Sequence, residues 1–180
     1  NSREFKLTSW SNDSTEDPSS ESIFINNYKF KPTYVKHGFG YSIFFTKTDS
    51  YDIFIKVFAS NKDNIKFYEL TITNKLNSVQ KLTFDFVLKV VLGTSEELTN
   101  RYIISNFDEI NNCLYMKNAY TNDFKDVNVF ISSTEKISSY NDKNPDVKSI
   151  TIDLSLNKNE AKTFSFMLGC EKETKILDDY

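Results

Sequence analysis

A side-chain period of two constrains this chain more than anything else in it. Leu82, Phe84, Phe86, Leu88 and Val90 are apolar, and Thr83, Asp85 and Lys89 between them are polar or charged. Extended strands send alternate side chains to opposite faces, whereas a helix would scatter these positions around its circumference. Ile150, Ile152, Leu154 and Leu156 repeat the pattern against Thr151, Asp153 and Ser155, and Tyr68, Leu70 and Ile72 repeat it against Glu69, Thr71 and Thr73. Phe164, Phe166 and Leu168 follow the same spacing. Val87 and Val91 add apolar side chains to the second face of the 82–91 strand, which predicts a sheet covered on both sides. Further strands are expected at 23–25, 41–48, 51–59, 101–105, 114–117 and 127–132. About nine to twelve strands with hardly any helix predict an all-β antiparallel sandwich. Only 171–180 has a charged, helical look.

The turns between these strands have an unusual source. Glycine and proline contribute only 4 and 3 residues, far below the roughly 12% of ordinary proteins. Asn, Asp and Ser must therefore supply the tight connections, because their short polar side chains tolerate left-handed backbone and bond to it locally. Asn26-Asn27, Asp49-Ser50 and 157–160 are the predicted hairpin turns. Residues 1–22 read as a polar loop holding one large aromatic, Trp10. Residues 94–100 read as a polar connection and Ser133 to Lys148 as an exposed loop.

Charge excludes some functions. Lys plus Arg number 22 against 25 Asp plus Glu, a net charge of −3, with no block of like charges. Nucleic-acid and anionic-membrane binders depend on a basic surface, so neither partner is expected. A chain of 180 residues, 39% hydrophobic, can bury a core without disulfides or metal. Cys113 and Cys170 stand far apart and His37 is the single histidine. That set builds neither a zinc site nor a Cys/His nucleophile pair, so reduced buried thiols and no cofactor are expected. No apolar run approaches the ~20 residues of a membrane span. A cytoplasmic location is the expectation, with a membrane-associated parent protein as the alternative.

Enzymatic readings find little support. His37-Gly38-Phe39-Gly40 lacks the third glycine and the following helix of a dinucleotide fingerprint and reads as a tight turn. Glu96-Glu97 and Asp108-Glu109 are sequence neighbours, whereas glycoside chemistry needs two carboxylates facing each other across a substrate. No catalytic residue is expected. Aromatic residues, 15% of the chain, are the remaining signal. Sugar C–H faces pack on rings while hydroxyls seek amides and charges, so Trp10 beside Asn12 and Asp13, with Arg3 upstream, forms a candidate carbohydrate-binding cluster. His37 is the next candidate. The alternatives are a Trp10 lid over the core and a hydrogen-bonded structural His37.

Asn1-Ser2-Arg3-Glu4, Leu7-Thr8, Trp10, Asn12-Asp13 and Asp17-Pro18 resemble a signature of the β-sandwich domain of cyclic β-1,2-glucan synthases and β-1,2-oligoglucan phosphorylases. Lys36-His37-Gly38-Phe39-Gly40-Tyr41 resembles a second motif of that domain, shared with cellobiose and chitobiose phosphorylases. Val57-Phe58, Leu70 to Asn74, Val91-Leu92-Gly93, Asn118-Ala119-Tyr120 and Phe166 to Gly169 follow in the family's order. The chain thus resembles glycoside hydrolase family 94. The resemblance implies a galactose-mutarotase-like supersandwich over 1–170, with 171–180 starting a linker helix toward an (α/α)6 barrel. In the family that barrel carries the general acid and the inorganic phosphate site, and no family catalytic residue matches a position here. By this resemblance the chain is a non-catalytic domain of a larger β-glucan enzyme. Such a domain supports the edge of the active site, meets β-glucan through the parent and contributes to a homodimer. A free-standing carbohydrate-binding module and a purely structural assembly sandwich are the alternatives. Lys36 stands where the family usually has Arg, removing a bidentate fork. Val90 stands where an aromatic is common, and the 133–148 segment is shorter than its family counterpart.

Overall fold

The computed structural model describes residues 6–9 and 20–172. Its strands are β1 (Lys6–Thr8), β2 (Glu21–Ile25), β3 (Tyr28–Lys29), β4 (Tyr34–Gly38), β5 (Tyr41–Lys47), β6 (Tyr51–Ala59) and β7 (Ile65–Asn74). The chain continues through β8 (Gln80–Gly93), β9 (Ile103–Asp108), β10 (Cys113–Asn118), β11 (Val127–Ser133), β12 (Ser139–Asn141), β13 (Val147–Leu156) and β14 (Ala161–Lys172). One sheet has the order β12-β13-β8-β2-β3, with β1 paired to the end of β8. The other has the order β4-β5-β6-β7-β14-β11-β10-β9, and every pairing is antiparallel.

The period-two faces meet between the sheets. Leu82, Phe84, Phe86, Leu88 and Val90 of β8 are all buried, as are Ile150, Ile152, Leu154 and Leu156 of β13. They oppose Tyr68, Leu70 and Ile72 of β7 and Phe164, Phe166 and Leu168 of β14. Ring contacts cross the gap from Phe86 to Tyr68 at 4.8 Å, from Phe86 to Phe166 at 5.2 Å and from Phe84 to Phe164 at 5.1 Å. The second face of β8 departs from expectation. Thr83, Asp85, Val87 and Lys89 are only half-buried, and among the described residues no layer covers them along most of the strand. Instead the polar residues tie neighbouring strands together: Thr83 Oγ1 donates to Asp153 Oδ1 at 2.7 Å, and Thr151 Oγ1 to Asp85 Oδ1 at 2.6 Å. Only near the end is that face buried, at Val91.

Asparagine takes the turn work that glycine usually does. Asn26, Asn27, Asn112 and Asn159 adopt φ of 50°, 67°, 52° and 57°. Asn26 also bonds across the sheet, its Oδ1 accepting from the Thr83 N–H at 2.9 Å. Left-handed backbone costs an ordinary residue about 1–2 kcal/mol. Asn26→Ala therefore lowers stability by about 1–2 kcal/mol, read as a shifted urea midpoint.

Three segments differ from their sequence reading. Residues 94–100 contain a short helix, α1 (Glu96–Thr99), continued by a 3₁₀ turn over Asn100–Tyr102, so the next strand starts at Ile103. The stretch from Ser133 to Lys148 is more than an exposed loop: β12 pairs with β13 there, and Ile137 and Lys148 are buried. The Lys148 amine donates to the Asp142 carbonyl at 2.5 Å, and Ser105 Oγ donates to the same oxygen at 2.9 Å. Burial holds that amine below its ordinary value. Finally, β14 runs to Lys172, pairing Glu171 with Asn128 and Lys172 with Val127. Residues 173–180 lie outside the described residues.

The two edges of the sandwich are unlike. At one, Phe107 of β9 stacks on Tyr140 of β12 at 4.3 Å and joins the sheets. At the other, the larger sheet outreaches the smaller. Val35 and His37 lie on the inward side of β4 yet remain exposed.

Candidate functional site: an open groove between the sheets

Between the sheets lie two adjoining cavities of about 500 and 300 Å³, the smaller reaching toward that open edge through Phe30, Pro32 and Phe44, the larger at the strand ends beside the β6–β7 turn. Both are lined by Glu21, Val57 and Lys66. Glu21 shares the inward face of β2 with Ile23 and Ile25, and Lys66 shares the inward face of β7 with Tyr68 and Leu70. Each charge thus stands at the beginning of an apolar face, where the sheets part. Lys66 Nζ lies 2.5 Å from Glu21 Oε2, and the Tyr68 hydroxyl donates to the same oxygen. Both contacts fall on Oε2, so Oε1 carries neither. The Glu21 side chain is 14% exposed and that of Lys66 42%. Lys66 also sits over the Tyr68 ring, 5.0 Å from its centroid.

The walls are apolar and the rim polar. Phe30, Pro32, Phe44 and Ile55 line the smaller cavity, while Leu168 and Gly169 line the larger. Ser60, Asp63 and Asn64 in the β6–β7 turn edge the larger one. Ser60 Oγ holds that turn, accepting from the N–H groups of Lys62 and Asp63 at 3.2 and 3.1 Å.

The sequence candidates stand differently toward this groove. Arg3, Trp10, Asn12 and Asp13 lie outside the described residues. The strands nearest their segment end at Thr8 and begin at Glu21, and both of those residues line the larger cavity. His37 lies on β4, its Nδ1 2.9 Å from Ser42 Oγ. It belongs to the cross-strand row His37, Ser42, Val57, Tyr68. Three strand spacings of ~4.8 Å put its backbone roughly 14 Å from that of Tyr68, so His37 shares the sheet face without joining the Glu21 cluster. Sequence reasoning missed Glu21, Lys66 and Tyr68. The available signal was a charge at an inward strand position, visible once the face of Ile23 and Ile25 is known.

The outward face of the larger sheet is also unusual, being rich in rings. Tyr34, Phe45 and Phe54 stack in a row at 5.7 and 4.5 Å, and Phe58 stacks on Phe67 at 5.2 Å. Lys56 lies 5.6 Å from the Tyr41 ring centroid and 5.1 Å from that of Phe58. At the tip of the β4–β5 hairpin, Phe39 is fully exposed. Its flanking glycines have separate causes. A Cβ on Gly38 would come within 2.2 Å of the Tyr41 ring, and Gly40 has φ of 80°. The Lys36-to-Tyr41 motif is thus a hairpin tip that presents an aromatic.

On the same outward face, burial pushes the Cys113 thiol up from 9.0 to about 12 and the Tyr115 hydroxyl up from 10.0 to about 12. An acid whose folded-state value is raised stabilises the fold fully below its unfolded value and loses that contribution as pH climbs toward the folded value. Thermal stability is therefore expected to fall from about pH 9, and Cys113→Ala to delay the onset toward pH 10, measured by melting at stepped alkaline pH.

Comparison with known proteins fits this architecture. Residues 1–146 match the family model described as glycosyl hydrolase 94, supersandwich domain. The cyclic beta-(1,2)-glucan synthase NdvB of Rhizobium meliloti (strain 1021) is 27% identical over 155 residues, covering 78% of this chain. The chain spans only 6% of that synthase's length. Among solved structures, a protein assigned as a kojibiose phosphorylase, from the human microbiome, superposes with a TM-score of 0.52 at 14% identity. That match covers 84% of this chain and 21% of the other. A protein assigned as an aldose 1-epimerase, from Escherichia coli K12, gives a TM-score of 0.51 at 9% identity, covering 77% and 67%. At such identities the structural likenesses speak to the fold, a mutarotase-like sandwich. With four-fifths of its length matched by the family model, this chain belongs to the glycosyl hydrolase 94 supersandwich-domain family.

Proposed function

We propose that this chain is a non-catalytic domain of a larger β-glucan phosphorylase or cyclic β-1,2-glucan synthase. It packs through the outward face of its larger sheet, supporting the edge of an active site and subunit assembly. The ring-rich outward face carries this reading. Contiguous apolar surface left open on a sheet marks an interaction site, and Tyr34, Phe39 and Phe54 are 66%, 106% and 41% exposed. Family membership and the far greater length of the matched synthase support it further. Cleavage or synthesis of the parent's β-glucan, and any phosphate binding, would fall to parts outside this sandwich.

Two measurements test the proposal. The purified chain, given β-1,2-gluco-oligosaccharides and inorganic phosphate, should release no glucose 1-phosphate; release would overturn the non-catalytic reading. Its mass in solution should rise with concentration, and Phe54→Lys should suppress that rise. A strictly monomeric chain that also fails to bind a hydrophobic dye would argue against packing through this face. A carbohydrate-binding module acting by itself is the second reading, favoured by the open groove that Leu7 and Thr8 help to line.

A further inference from the structure

We infer that Glu21, Lys66 and Tyr68 form a binding site for the hydroxyl groups of a neutral saccharide, seated in the groove between the two sheets. The inference rests on the carbohydrate-domain reading above and assigns it a place. Cavities of about 500 and 300 Å³ fall within the size range that takes small ligands. Their composition also fits: mostly apolar wall with a few convergent polar groups.

Charge selects the ligand class. Glu21 and Lys66 form a balanced pair, so an anion entering the groove meets the Glu21 carboxylate and a cation meets the Lys66 ammonium. A neutral vicinal diol satisfies both groups at once, donating to the carboxylate and accepting from the ammonium. Glu21 uses Oε2 for both its lysine and tyrosine partners, and Oε1 accepts a hydrogen bond from the ligand's hydroxyl. Hydrogen bonds of this kind to a half-desolvated carboxylate are stronger than those formed in open water. Pyranose C–H faces then lie against Val57, Phe30 and Phe44, which supply apolar contact that an acyclic polyol cannot use fully. Tyr68 holds the carboxylate in place from the floor, where it is 6% exposed, and acts as a positioning residue.

Calorimetric titration of the 180-residue chain with β-1,2-gluco-oligosaccharides, beside cellobiose, maltose and sorbitol, tests this site. Saturable binding of a saccharide is expected, with sorbitol at least ten-fold weaker. Glu21→Gln and Lys66→Met should each weaken binding at least ten-fold while the melting curve stays cooperative. Lys56→Met, on the opposite face of the same sheet, should leave binding unchanged. Backbone amide NMR shifts in the native chain give an independent readout if a variant fails to fold, and they should concentrate at residues 21–23, 57 and 66–68. Saccharide binding that leaves those amides still, or that survives both groove substitutions, would overturn the site while leaving the carbohydrate-domain reading intact. Absence of any saccharide binding at millimolar concentration would overturn the site too. The assembly reading would then be judged separately on glucose 1-phosphate release and solution mass.

Discussion

Phe86→Ala is expected to lower the stability of this domain by about 3–5 kcal/mol, the range for deleting a buried aromatic side chain. Phe86 is 0% exposed and sits at the centre of β8, paired with Ile23 on one side and Ile150 on the other. Its ring meets Tyr68 and Phe166 of the facing sheet at 4.8 and 5.2 Å. Truncation removes the transfer free energy of the ring and opens a void that twisted, hydrogen-bonded sheets on both sides cannot close. For a domain of this size each kcal/mol moves the melting temperature by about 2–4 °C, so the midpoint should drop by roughly 10 °C. Phe86→Leu, which keeps most of the volume, should lose much less. A loss below about 1 kcal/mol for the alanine variant would mean that the sheets are not packed through this ring.

Asn74→Ala should be nearly as damaging, through hydrogen bonding rather than volume. Asn74 is fully buried at the end of β7. Its Nδ2 donates to the carbonyls of Ser78, Leu156 and Asn157 at 2.9, 3.3 and 2.9 Å, and its Oδ1 accepts from Leu76 N–H at 3.0 Å. One side chain thus fastens the β7–β8 turn to the β13–β14 turn. Each buried polar group left unpaired costs about 1–3 kcal/mol, which puts the total near 3 kcal/mol, measurable by denaturant unfolding. Asn74→Asp adds a signature that volume loss would not show. An ionised carboxylate turned toward three carbonyls has no proton to give and is destabilised, so its folded-state value is raised. Stability should recover as pH falls and the carboxyl gains a proton, the opposite of ordinary acid denaturation. Stability flat across that range would place Asn74 outside the network described here.

Much of the architecture was readable along the chain, for local reasons. The alternation at 82–90, 150–156 and 164–168 fixes which side chains share a face, because a strand allows only two directions. Scarce glycine pointed to asparagine turns, and Asn26, Asn27, Asn112 and Asn159 do hold positive φ. The expected hairpins closed where the turn residues stood, at Asn26-Asn27 and before Tyr51. Where local reading failed, the cause was tertiary. Val87 looked like half of a second buried face, yet no layer of the described residues covers most of it. Ser133 to Lys148 looked like polar loop, yet Lys148 is buried because the Asp142 carbonyl receives its amine.

By itself, then, the sequence determined the long strands, the inward set of side chains and the resemblance to a carbohydrate-enzyme sandwich, since period, turn chemistry and motif are all local properties. Tertiary structure decided which edge of the sandwich stays open. Phe107 and Tyr140 close one side, while β4 overhangs the other with Val35 and His37 exposed among the described residues. It also brought Glu21 to Lys66 across 45 residues of chain. Each charge alone reads as an ordinary polar strand end. They become a paired, half-desolvated site because two sheets of unequal width align where their apolar faces begin, a juxtaposition that strand register and sheet order set together.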